Sequence, residues 1–134
     1  MVLIKFRESK SGTTTTTDAV TQQPLATFNT ATAGPNGTAL DNCSIFITAR
    51  AAGYVTAGGT GVGEFDAAAF KVVSGTLSQI GATAHTIPTI KDTGGSPQGD
   101  FSVSGTTITY FVTGVAATTI EWFGNMDILI YQPT

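Results

Sequence analysis

Hydrophobic positions along this chain recur at every second residue rather than every third or fourth. Cys43, Ile45 and Ile47 share one side of a segment whose other side carries Phe46, Thr48 and Arg50, the period of a half-buried strand. Residues 64–73 hold the helix-like run Ala67-Ala68-Ala69. Even so, Phe65, Ala67, Ala69, Lys71 and Val73 alternate with Asp66, Ala68, Phe70 and Val72. Glycine-rich sequence precedes this segment and Ser74-Gly75 ends it, which predicts a hairpin into residues 76–81. A second hairpin is predicted for 100–104 and 107–113 around Gly105. Residues 25–29, closed by Gly34-Pro35-Asn36-Gly37, form another candidate strand. So do 118–123 and 126–131, with a break or bulge at Gly124-Asn125. Residues 51–63 read as a glycine-rich loop with a short strand at Tyr54-Val55, 82–90 as one irregular strand, and 91–99 as a loop.

The N-terminal stretch differs. Val2, Ile4 and Phe6 alternate with Leu3, Lys5 and Arg7, a strand or a segment that becomes one on finding a partner. From Ser9 through Thr13-Thr14-Thr15-Thr16-Thr17 and Asp18 to Pro24 there is almost nothing to bury. That pattern predicts an extended arm and polar linker over 1–24, with the folded body at 25–134. A first strand of the same domain, joined by a loose loop, is the competing reading.

The pattern gives seven to nine short antiparallel strands and no helix. A single sheet of that many strands would leave one face to water. The fold class is therefore all-β, a two-sheet sandwich of jelly-roll-like form, with a small barrel as the other possibility. The large side chains available to fill it are Phe28, Phe46, Phe65 or Phe70, Phe101 or Val103, Tyr110 or Phe111, and Trp122.

Composition sharpens this picture. The chain has 134 residues, enough for one domain, of which 41% are hydrophobic and only 11% charged. About one residue in five is threonine, a strand former. The net charge of −3 argues against binding along a nucleic-acid backbone, which needs a basic footprint. No apolar run is long enough for a membrane span, and the first residues lack the apolar core of a signal peptide. The expectation is therefore no nucleic acid and no membrane. So weakly charged a surface suggests burial against other subunits.

Candidate chemistry is sparse. Cys43 is the only cysteine, so no internal disulfide forms, and it reads as a small buried thiol. Glu64 and Asp66 lie two apart on one strand face, where a carboxylate pair or calcium role competes with a plain polar strand entrance. Asp92 and Asp100 bracket a loop that lacks the dense oxygen spacing of a calcium loop. His85 is the single histidine, and neither Ser78 nor Ser104 lies in a nucleophile elbow. It reads as exposed or locally hydrogen-bonded. Gly58-Gly59-Thr60-Gly61-Val62-Gly63 has no following lysine or helix, so it is not a phosphate loop. The sequons at Asn36 and Asn42 carry no weight without a secretion signal. No catalytic residue, metal ligand or cofactor is expected.

Gly61-Val62-Gly63-Glu64, Ala68-Ala69-Phe70-Lys71, Ser74-Gly75 and Gln79-Ile80-Gly81 resemble a module recurring in tailed-bacteriophage structural proteins. So do residues 101–107 and the run Val112-Thr113-Gly114-Val115-Ala116-Ala117-Thr118-Thr119-Ile120-Glu121-Trp122. The resemblance spans roughly residues 45–130. It implies a non-catalytic β-sandwich, often oligomeric, with a trimer favoured. Gly94-Gly95-Ser96-Pro97 departs from related modules, which often carry an aspartate and an aromatic there. Only about 24 residues precede the body, which favours a capsid decoration (cement) protein over a tail or tail-fibre component with a receptor- or carbohydrate-binding sandwich. The expected place is the virion, on the outer surface of the capsid. The expected partner is the major capsid protein, alongside self-association as a homotrimer. Val2, Leu3, Ile4 and Phe6 are the expected partner-binding residues of the arm, acting by strand addition.

Overall fold

The computed structural model describes residues 4–133, the first three of them by backbone alone. It is all-β, with nine strands among the described residues and a single 3-10 turn at Pro35–Gly37. In chain order they are β1 Ile4–Thr16, β2 Gln23–Asn29, β3 Cys43–Val55, β4 Thr60–Val73 and β5 Thr76–His85. Then come β6 Ile90–Lys91, β7 Gln98–Ser104, β8 Thr107–Thr113 and β9 Ile120–Gln132. A large sheet has the order β1-β9-β3-β4-β5, with β6 also on β4, and packs against a small sheet of order β2-β8-β7. Every paired neighbour is antiparallel. Among the described residues no helix is long and apolar enough to cross a membrane.

Alternation decides which side chains are buried, as the period of a strand requires. Ile45, Ile47 and Ala49 of β3, Phe70 and Val72 of β4, and Met126, Ile128 and Ile130 of β9 point between the sheets. Phe28, Ile108, Tyr110 and Val112 of the small sheet meet them. Phe101 links the layers, edge-on to Phe70 at 5.8 Å and tilted against Tyr110 at 5.0 Å between ring centroids. Cys43 is buried, and burial pushes its thiol up. Phe28, Phe70, Phe101, Tyr110 and Trp122 are thus core residues, as the pattern suggested. Phe46 is not. It stands 47% exposed on the outer face, because Cys43, Ile45 and Ile47 take the inward side of β3.

The glycine-rich segment at 51–63 is strand on both sides of a tight connection, with β3 running to Val55 and β4 starting at Thr60. Nor does the chain break at Gly124. β9 is continuous, and Gly124 lies opposite Gly12 in the β1–β9 register. The pair forms a slot for the crossing strand β2. A Cβ on Gly12 would sit on the Leu25 carbonyl oxygen, and one on Gly124 would meet Leu25 Cδ2 at 2.5 Å and Arg50 O at 2.7 Å.

Residues 9–16, expected as a polar spacer, belong to β1, whose thirteen positions pair with β9 from Ile4↔Gln132 to Thr16↔Ile120. Threonine is poor in apolar surface but favours extended backbone, so a threonine run beside an open strand edge completes the sheet. The end of β1 is pinned: Thr16 is buried, and Trp122 Nε1 donates to its Oγ1 at 2.9 Å. Asp18 then turns the chain, accepting from the backbone N–H groups of Val20 and Thr21, and these bonds hold its carboxyl below the usual range.

Candidate functional site

The structure assembles two features from residues scattered in sequence. The first is an ionic cluster. Glu64 and Asp66 occupy alternate positions of β4, and both are buried, facing the small sheet. A bulge in the β4–β5 ladder between Ala67 and Ala69 sets His85 opposite Asp66. His85 Nδ1 lies 2.5 Å from Asp66 Oδ1 and 3.5 Å from Glu64 Oε1. From the small sheet, the Tyr110 hydroxyl donates to Asp66 Oδ2 at 2.6 Å, and from the connection between β5 and β6, Thr89 Oγ1 donates to Glu64 Oε2 at 2.5 Å. Gly99 closes over the bond: a Cβ there would fall on the Tyr110 hydroxyl and on Asp66 Oδ2. Only glycine lets β7 pass this close.

Burial is the largest influence on Asp66 and pushes its carboxyl up to about 7; Glu64 adds to the rise, while Tyr110 and His85 oppose it. The Asp66 carboxylate raises His85, and burial with Asp66 alongside raises Tyr110. Two buried carboxylates sharing one histidine favour keeping a proton among them. Glu64, Asp66 and His85 offer three ligand atoms within 4.8 Å of one another. The carboxylate oxygens are already engaged by Tyr110 and Thr89, so the geometry is that of a hydrogen-bonded bridge between the sheets. The shared strand face of Glu64 and Asp66 was readable from their spacing; their partners, brought in by the bulge and by the second sheet, were not. Asp92 binds the Gly61 N–H at 2.5 Å, and the Asp100 side chain caps its own neighbour, Phe101.

The second feature is the outer face of the large sheet, where Phe46, Tyr54, Phe123, Leu129 and Tyr131 are each about half exposed. Natural surfaces more often scatter such residues singly, so their concentration sets this face apart from the rest of the surface. Ala52, Tyr54, Glu121 and Phe123 line a shallow depression of about 480 Å³ at one end. Arg50 and Asp127 pair at 3.7 Å in the middle of the face. Of the expected partner-binding residues, Val2 and Leu3 lie outside the described residues, while Ile4 and Phe6 hold backbone positions in β1 opposite Gln132 and Ile130.

No family model matches the chain, and no curated protein does. Among solved structures, the tailspike protein of Acinetobacter baumannii phage AM24 is similar at 11% identity with a TM-score of 0.45, over 95% of this chain and 26% of the tailspike. The chain spans about a quarter of that protein's length.

Proposed function

We propose that this protein is a bacteriophage structural protein that decorates the capsid, binding across major capsid subunits on the outer surface of the shell without catalysis. The observation that carries the reading is the edge of β1. Thirteen residues long, it stands at the end of the sheet and pairs with β9 alone among the described residues. Such an edge presents a row of backbone donors and acceptors to any strand laid beside it. Arg7, Glu8 and Lys10 guard its first half against indiscriminate pairing, whereas residues 11–16 carry no charge. The resemblance to tailed-phage modules and the 11% charged content support the same reading. In this account the Glu64–Asp66–His85–Tyr110 cluster is structural, since its carboxylates are bonded within the core.

The test mixes the purified chain with undecorated phage shells. Saturable binding, with a rise in the temperature at which the shells open, is the expected result. Binding to host cells with none to shells supports a tail or tail-fibre component instead, and binding to neither sinks both roles.

A further inference from the structure

We propose that the outer face of the large sheet is the seat of a two-fold dimer, in which a second copy lies face to face with its strands running in the opposite direction. The inference concerns a surface separate from the β1 edge and stands whether or not the chain binds shells.

The register of the large sheet carries the argument. One row across its outer face contains Leu129, Phe46 and Ala69, on β9, β3 and β4. Six residues further along β3, a second row on the same strands contains Phe123, Ala52 and Gly63. A two-fold axis lying in the interface, across the strands and midway between these rows, sets each row over the other. Phe46 of one copy then sits over Ala52, beside Gly63, and enters the depression that Ala52, Tyr54 and Phe123 line. Leu129 meets Phe123. Large side chains thus oppose small ones or apolar ones, the interdigitation that aligned sheet packing requires.

Charge agrees with the same axis. It passes between the Thr48 and Arg50 rows, and Asp127 lies beside Thr48. Arg50 of a second copy therefore lands over Thr48, next to Asp127, and the two Arg50–Asp127 pairs become one ring of four alternating charges. Arg7 of one copy falls one strand across and two residues along from Glu121 of the other. A parallel overlay would instead set like charges together. Five strand positions and ten residues of rise give on the order of 700 Å² per copy at ~4.8 Å between strands and ~3.4 Å per residue. That is close to the roughly 800 Å² per partner of a standard stable interface.

The test is sedimentation equilibrium of the full chain, followed by two kinds of variant at exposed positions. Twice the 13.7 kDa chain mass is expected at micromolar concentration. Phe46→Glu is expected to raise the dimer dissociation constant about 30-fold or more, the loss of a central hot spot. Arg50→Glu and Asp127→Arg each weaken the dimer, and their combination restores it. For the register, the double variant Phe46→Cys/Ala52→Cys is expected to cross-link between copies under mild oxidation, while each single variant does not. Cys43, being buried, stays out of that reaction. A monomer or a trimer overturns the proposal, as does a dimer indifferent to Phe46→Glu. Cross-linking by Phe46→Cys alone overturns the two-fold register.

Discussion

Replacing Asp66 by asparagine is expected to remove one particular pH dependence of stability. Asp66 is fully buried, with Tyr110 on one oxygen, His85 on the other and Glu64 as the nearby like charge, while Asp100 bears on His85 and Tyr110. Its carboxyl is pushed up to about 7 in the folded chain, against about 3.9 for an unfolded aspartate. Between those values the folded protein holds a proton that the unfolded chain has released. The contribution is therefore fully present below about pH 4 and is lost as pH rises through about 7. Three pH units at about 1.4 kcal/mol each set a ceiling of about 4 kcal/mol. His85 is raised by the same carboxylate, so its contribution has the same sign. Below about pH 6.5 the imidazole is protonated in both states and adds little, so the loss over that range belongs to Asp66, and roughly 2–4 kcal/mol is expected. Urea unfolding from pH 4 to pH 8, followed by the fluorescence of the single buried tryptophan, Trp122, measures this directly. Relative to Asp66→Asn, the parent should lose that amount across the range. Two profiles that stay parallel within about 0.5 kcal/mol would refute the assignment of a proton to this cluster.

Three further outcomes follow from packing. Trp122→Ala should cost roughly 3–5 kcal/mol, and Trp122→Phe about 1–3 by stranding the buried Thr16 hydroxyl; melts matching the parent would move Trp122 out of the core. Gly124→Ala should destabilise by about 1–3 kcal/mol, because its Cβ meets Leu25 and Arg50 O, whereas Gly58→Ala, with open space around it, should be near neutral. Removing residues 1–16 strips β1 from β9 and should abolish cooperative unfolding or cause aggregation; a truncated chain melting like the parent would restore a separable arm.

Much of the architecture was legible because it is local. The turns at Ser74-Gly75 and Gly105 sit between alternating segments, so both hairpins could be read directly. Alternation also overrode the alanine run of β4. What stayed hidden depends on distant partners. The threonines of β1 look like a spacer until β9 is beside them, and Gly124 looks like a break until Leu25 crosses it. Phe46 looks like core by size, and only the opposing sheet decides which face of β3 is covered. The site followed the same rule: Glu64 and Asp66 share a face by spacing, while Tyr110 and His85 join them only through tertiary register.

The pairing of β1 with β9 also bears on the timing of synthesis. β1 cannot close its ladder until β9 has left the ribosome, and Thr16 waits for Trp122 in the same way. Long-range antiparallel closure of this kind folds slowly. A nascent chain would meanwhile carry an unpaired strand whose threonine half holds no charge. Translation speed and chaperone access, rather than final stability, would then set how much of this protein reaches its folded form.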